Sequence, residues 1–274
     1  MLFRSHTAIW GMYKDAIHEG FAVSRFARSV VVGAVVAVAI QLGLELPLRS
    51  ASGLFVLFGL AYAAERGVVE VWKTFVREED QSKYTIPMQF SVRGAPVRDR
   101  LIRLVVGAAY VAVVLLCLFA VTRIGLGPLG RPTLARTALV GLAVGGIIAI
   151  GGAWKDAPTE GFDPLKFLRS PGLTVAFALL LAQLTDSYLH IAVAAIGFER
   201  ATAETYKTFF FPSKPRGKFA GKPVLFPEML LRRRWFVPAY VAIWAVVIAA
   251  GTAALSGTSP RDGSAAGAHA GGRP

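Results

Sequence analysis

The sequence predicts an all-α integral membrane protein, built as a tandem duplication of a three-helix unit with a linker helix between the copies. Hydrophobic residues make up 54% of the 274 residues, 17% are charged, and the mean hydropathy is +0.53. Several apolar runs approach the roughly 20 residues that cross a hydrocarbon core. Three polar phrases also occur twice, in the same order along the chain, which is typical of an internal repeat.

Residues 1–28 are predicted to form an amphipathic cytoplasmic lead. The phrase KDAIHEGFAVSRFARS at 14–29 recurs as KDAPTEGFDPLKFLRS at 155–170. Glycine and phenylalanine follow the charged part of each copy, which favours a helix lying on the membrane with its aromatic rings in the lipid. Alternatively, the acids of the two copies meet and bind a cation or a polar headgroup. The candidate residues are Lys14, Asp15, Glu19, Lys155, Asp156 and Glu160.

The first repeat unit, 29–122, contains apolar runs that begin at Val30, Leu54 and Leu104. These runs lack the polar stripe at 3.6-residue spacing that a soluble helix would show. Because the first run starts only at Val30, a cleavable signal peptide is not expected.

The helix that begins near Leu54 ends in ERGVVEVWKTF at 65–75, which recurs as ERATAETYKTF at 199–209. The charged residues are spaced to share one helical face. They form either a solvated ladder of ion pairs or a central polar site that faces the bundle interior. The candidates are Glu65, Arg66, Glu70, Lys73, Glu199, Arg200, Glu204 and Lys207. A third phrase pairs KYTIPMQF at 83–90 with KFAGKPVLF at 218–226.

The remaining segments are a linker helix at 123–153, a second repeat unit at 154–256 and a disordered tail at 257–274. Within the second unit, 171–198 forms either a short or re-entrant hairpin or a single span. The hairpin gives about seven membrane helices and puts 24 of the 30 Lys and Arg residues on one side, against 17 for the single span. The positive-inside rule therefore favours the hairpin in a plasma or inner membrane, with a cytoplasmic N-terminus and an external C-terminus.

The basic loop FPSKPRGKFAGKP at 211–223 is a candidate for contacts to phosphate or anionic lipid. Its candidate residues are Lys214, Arg216, Lys218 and Lys222. Near the hairpin tips, Glu45 and Asp186 are either solvated or capping residues or a buried functional pair.

Other classes of function find little support. A single cysteine, Cys117, four histidines and no metal-ligand spacing predict no metal and no cofactor. The net charge of +13 comes without a nucleic-acid-binding motif, so membrane lipids rather than nucleic acid are the expected partners.

The predicted function is transporter-like or channel-like, with a polar site between two parallel repeats. A first alternative is a membrane enzyme or lipid-binding protein that acts on a phosphorylated headgroup at the inner leaflet. A second is a structural or assembly subunit that docks a membrane protein or another copy of the chain. A polar cavity between the repeats favours the first function, a pocket open sideways to lipid favours the second, and ion pairs closed on themselves favour the third.

Overall fold

The protein is described by a computed structural model that covers residues 5–125, 132–210 and 217–257. Of the predicted disordered tail, 257–274, Gly257 is the last residue of a helix, and 258–274 lie outside the described residues. Eight helices of 15 residues or more confirm the all-α class. The helices are α1 Ser5–Glu19, α2 Val23–Leu44, α3 Ala51–Val71, α4 Arg100–Gly125, α5 Leu134–Glu160, α6 Pro164–Leu181, α7 Tyr188–Thr205, the four-residue α8 Met229–Arg232 and α9 Val237–Gly257.

Short elements extend or connect these helices. Two π-helical segments, Trp72–Val76 and Tyr206–Phe210, continue α3 and α7 directly. The segments Gly217–Phe219 and Arg233–Phe236 are 3₁₀-helical. Strands β1 Ser91–Val92 and β2 Ala95–Pro96 form a small antiparallel hairpin before α4.

Five helical segments are long and apolar enough to cross a membrane, which is the composition of a multi-pass membrane protein. They are α2, Arg100–Arg123 of α4, α5, α6 and Met229–Gly257. Helices α3 and α7 fall outside this set because each contains a Glu–Arg pair and a further Glu, which lower its hydropathy. Both are nevertheless heavily buried, whereas α2 has no buried residue.

Helices α3 and α7 cross at the centre of the bundle, where glycine allows a close approach. A Cβ built on Gly197 would lie 1.9 Å from the carbonyl oxygen of Gly59, and one on Gly59 would lie 2.8 Å from Ala194. The buried ring of Phe198 stacks on Phe55, with 4.4 Å between the ring centroids. Small residues therefore bring the two backbones together, and aromatic rings fill the space beside them.

The segment 171–198 belongs to two helices, α6 and α7, with a turn at 182–187. Both helices extend beyond the segment, which explains how 28 residues can contribute to two long helices. Ser187 caps α7 by accepting a hydrogen bond from the backbone N–H of His190. In the hairpin of α2 and α3, Glu45 ends α2 in the left-handed conformation, with φ 46°, and Ser50 caps α3.

Helix α1 is a buried part of the bundle, although its sequence favoured a helix on the membrane surface. Ten of its 15 residues are buried, and it packs against α2, α9 and the segment before α9. Near its start, the imidazole of His6 lies among the rings of Phe58, Tyr62 and Tyr240. Its apolar face therefore meets protein.

Helix α5 runs without a break through the predicted boundary between linker and second unit at 153–154. Its first half packs closely on α6, because Gly141 and Gly145 leave room for the backbone of Pro171, Thr174 and Val175. The hydroxyl of Thr174 donates a hydrogen bond to the carbonyl of Gly141 at 2.8 Å. The linker and the repeated phrase that follows it are therefore one continuous helix.

Candidate functional site

Charged residues from four distant segments gather at one end of the bundle, the end at which α1, α3, α5 and α7 terminate; we call it the charged end. Backbone hydrogen bonds join its loops. The N–H of Thr85 donates to the carbonyl of Lys218 at 2.8 Å, and that of Phe226 to Ile17 at 3.1 Å. The indole of Trp154 donates to the carbonyl of Ser91 at 3.2 Å.

A cavity of about 310 Å³, here called the central cavity, opens at the charged end between α1, α3, α5, α6 and α7. Its volume is at the lower end of the range for small-molecule sites. Glutamates outside the lining (Glu65, Glu199, Glu160 and Glu19) pair with four of its basic residues, and the lining itself contains nine basic and five acidic residues. They are Lys14, Arg66, Lys73, Lys155, Lys166, Arg169, Arg200, Lys207 and Lys218, with Asp15, Glu70, Asp156, Asp163 and Glu204.

The first Glu–Arg pair is buried and bidentate. The Nε and Nη2 groups of Arg66 donate to the two carboxylate oxygens of Glu65 at 2.7 and 2.9 Å. The hydroxyl of Thr7 on α1 donates to the same carboxylate at 3.3 Å. The guanidinium also faces the ring of Trp10 at 5.7 Å. These contacts fix Arg66 at the wall of the central cavity.

The second pair has the same geometry. Arg200 donates through Nε and Nη2 to the carboxylate of Glu199 at 2.5 and 2.9 Å. Glu199 is completely buried and accepts a further hydrogen bond from the hydroxyl of Ser170 at 2.7 Å. Because Arg66 and Arg200 both line the central cavity, the two pairs present their guanidinium groups to one shared space.

One turn further on, each helix adds a carboxylate and a lysine. The Nζ of Lys73 lies 3.6 Å from Glu70. In the second copy, Oε2 of Glu204 is buried and has no hydrogen-bond partner among the described residues. Lys73 and Lys207 each lie in the π-helical segment that continues the helix. Such segments widen the helical turn and are frequent at functional sites.

The phrase at the ends of α1 and α5 is divided between the cavity and its surroundings. Its Lys and Asp residues line the cavity, but Glu19 and Glu160 do not. Glu19 pairs with Arg25 at 2.7 Å, and Glu160 pairs with Lys166 at the same distance. The two glutamates therefore hold the chain that follows each helix.

Of the basic loop, Lys218 reaches the cavity and Lys222 does not. Lys218 forms ion pairs with Asp15 at 2.9 Å and Glu19 at 3.2 Å, and Lys222 donates to the carbonyl of Ser82. Burial acts to raise the pKa of Asp15, but Lys218 and Lys14 outweigh it, so the pKa is lowered from 3.8. Lys214 and Arg216 lie outside the described residues.

Sequence reasoning missed several residues of the cavity. Lys166 and Arg169 belong to the repeated phrase but were not among the predicted site residues, which in this phrase all came from the first six positions. Trp10 was also missed, although the repeat extends to it: AIWGMYKDA at 8–16 matches AIGGAWKDA at 149–157. The small and apolar residues of this extension resemble ordinary membrane-helix sequence, which hides the match.

Four cations of the cavity lack a carboxylate partner, although Lys155 donates to the sulfur of Met88 at 3.7 Å and Lys14 lies over the ring of Trp10 at 5.1 Å. Among the described residues, no carboxylate lies within 4.0 Å of the basic groups of Lys14, Lys155, Arg169 or Lys207. The Nε of Arg169 is buried without a hydrogen bond there. Half-buried cations without carboxylate partners, beside two fixed guanidinium groups, are suited to bind an anion with several oxygen atoms, such as a phosphate or carboxylate.

A comparison with protein-family models, curated proteins and solved structures finds no match to the chain.

Proposed function

We propose that this protein is a transporter-like membrane protein that binds an anion in the central cavity, between two parallel repeats. One observation carries the proposal: residues from both copies of the repeated polar phrases line a single cavity, and four of its cations have no carboxylate partner among the described residues. A carrier is favoured over an open channel, because the aromatic rings around Phe198 and the Gly59–Gly197 contact fill the bundle beyond the cavity.

Matched positions support the two repeats. Gly20 and Gly161, which end α1 and α5, have φ of 71° and 79°. The Glu–Arg pairs are bidentate in both copies, and the π-helical segments begin at the matched residues Trp72 and Tyr206. Independent sequences would not share three such irregular features.

The repeat unit that we propose is larger than three helices. Helix α1 corresponds to the second half of α5, since both end in the same phrase and the match extends upstream to Ala8 and Ala149. The units are then α1–α4 and the second half of α5 with α6, α7 and α9. The first half of α5 takes the role of the linker, and α2–α7 with α9 would supply the seven membrane helices.

We place the charged end in the cytoplasm by the positive-inside rule. Within the described residues, the four segments that gather there carry 21 of the 24 Lys and Arg residues. This orientation puts the opening of the central cavity on the cytoplasmic side and the C-terminus outside.

A purely structural role accounts for the paired charges but not for the unpaired ones. A scaffold does not require four half-buried cations without carboxylate partners, because partial desolvation of each charge costs free energy. A bound anion would neutralise them.

Equilibrium binding of radiolabelled pyrophosphate to the purified protein in a neutral detergent tests the proposal. Pyrophosphate is the probe because its oxygens can reach cations from both repeats. We expect saturable binding that weakens about tenfold or more in Lys207→Gln, from the loss of one charge-assisted contact. Arg98→Gln is the control, since this side chain is exposed and does not line the cavity. Absence of saturable binding, or equal binding by both variants, would refute the proposal.

A further inference from the structure

A groove of about 1200 Å³ opens beside the central cavity, between α1, α2 and the end of α3. The groove and the cavity share the lining residues Arg66, Lys73 and Lys218. Much of the groove lining is charged, but one stretch of its wall is apolar and includes Phe26 and Val32 on α2, with Val68, Val69 and Trp72 opposite. The charged central cavity therefore continues into a groove that has an apolar stretch of wall.

The groove exists because α2 is packed on one side less than its counterpart α6. Five residues of α6 are buried, and the first half of α5 covers it through Gly141 and Gly145. Among the described residues, α1 begins at Ser5 and gives α2 no such cover, so none of the residues of α2 is buried. The gap lies beside α2, one of the helices that are apolar enough to cross a membrane.

We infer that the anion of the central cavity is the phosphate headgroup of a membrane lipid, whose hydrocarbon tail lies in this groove. The inference rests on the proposed anion site and adds the class of ligand. A soluble anion would pair with the cations but leave the apolar part of the groove empty. An uncharged or zwitterionic lipid would fill the apolar part of the groove but leave the cations without a compensating net charge.

The charge of the site favours a headgroup with an exposed phosphate over a phosphodiester. Four cations of the cavity have no carboxylate within 4.0 Å among the described residues: Lys14, Lys155, Arg169 and Lys207. A phosphomonoester carries between one and two negative charges near pH 7 and offers three acceptor oxygens. A phosphodiester has a single charge and fewer free oxygens. We therefore assign a phosphomonoester or diphosphate lipid to the site.

The rim of the groove is suited to the region of lipid headgroups. Arg25 and Arg28 on α2 are exposed and line the groove at its charged end, and Arg25 is held by Glu19 at 2.7 Å. Basic residues at this depth attract anionic lipid, and Trp72, which is half exposed, is typical of the membrane interface. A lipid could enter from the side without leaving the leaflet.

Thermal unfolding of the purified protein in a neutral detergent tests the inference with three probes. They are phosphatidic acid, phosphatidylcholine with the same acyl chains, and glycerol phosphate, which is the headgroup alone. We expect phosphatidic acid to raise the melting temperature at concentrations at least about tenfold lower than glycerol phosphate, because its tail adds apolar burial. Phosphatidylcholine should have little effect.

A matched pair of variants examines the tail site separately. Val68→Asn places an amide in the groove. Val31→Asn is the control, because Val31 on α2 has a similar exposure but does not line the groove. We expect Val68→Asn to raise the concentration of phosphatidic acid needed, with no change for glycerol phosphate. Val31→Asn should behave as the unmodified protein.

The outcomes distinguish the two proposals. Equal potency of phosphatidic acid and glycerol phosphate would leave the anion site standing and overturn the lipid assignment. Equal stabilisation by phosphatidylcholine would overturn the choice of headgroup. If neither phosphate compound acts and pyrophosphate does not bind, the anion site itself is refuted. Should Val68→Asn fail to fold, the comparison of the three probes on the unmodified protein still decides.

Discussion

Removing the guanidinium of the second Glu–Arg pair should strongly destabilise the protein. In Arg200→Ala, the buried carboxylate of Glu199 loses two charge-assisted hydrogen bonds and keeps only the one from Ser170. Breaking a buried ion pair from one side costs about 3–5 kcal/mol, and we expect the lower end because the Arg200 side chain is 28% exposed. At about 2–4 °C per kcal/mol, the melting temperature should fall by roughly 6–12 °C.

Arg66→Ala should have an effect of similar size, because Glu65 is also buried and would keep only the hydrogen bond from Thr7. Melting of each variant in detergent, followed by intrinsic fluorescence, provides the measurement. Arg98→Ala is the control, and Arg93→Ala a second one, since both side chains are exposed.

A double variant separates charge from packing. Glu199→Gln combined with Arg200→Ala leaves no unpaired charge, so it should be more stable than Arg200→Ala alone. If Arg200→Ala melts at the same temperature as Arg98→Ala, the pair is a solvated surface ion pair, and the reasoning from burial is wrong.

Three further predictions concern the rest of the chain. Gly197→Ala should destabilise the bundle by about 1–3 kcal/mol or more, because its methyl group would overlap the carbonyl of Gly59. Gly67→Ala is the control and should be neutral or slightly stabilising, because the space around Gly67 is open. Chemical unfolding in mixed micelles compares the free energies of unfolding of the two variants. The pKa of Asp15 is lowered in the folded protein, so the ionised carboxylate contributes stability above pH 3.8, and this contribution is lost as the pH falls through the pKa of the folded state. Melting temperatures measured over a series of acidic pH values should therefore depend less on pH in Asp15→Asn than in the unmodified protein. Deletion of 257–274 should leave expression and membrane insertion unchanged, and loss of the protein from the membrane fraction would contradict the expected disorder of this tail.

The helical class and the long apolar helices could be predicted because apolar composition over 18 or more residues decides both; of the seven or so membrane helices expected, five among the described residues have this composition. The sequence also contained the positions that line the cavity, since repeated charged residues in an apolar chain are unusual. What it left open was whether the charged faces of α3 and α7 meet water or one another. That depends on Gly59 and Gly197, whose close contact gives no periodic signal.

Two other features depended on information that a local pattern does not contain. An amphipathic pattern shows that α1 has an apolar face, but it does not show whether lipid or protein covers that face. In the structure, other residues of the bundle cover it. The six-residue phrase KDAxxE was treated as one unit, yet Glu19 follows Lys14 by five residues, which turns it about 140° around the helix. It therefore leaves the cavity and pairs with Arg25 and Lys218.

The most direct test of the account is a double-mutant cycle on pyrophosphate binding with Lys73→Gln and Lys207→Gln, one lysine from each repeat. If both lysines contact one bound anion, each variant weakens binding by a similar factor. The double variant then loses less than the product of the two factors, because the anion shifts toward the remaining cations once one contact is gone. Binding that depends on one lysine and ignores the other would contradict a shared site between the repeats.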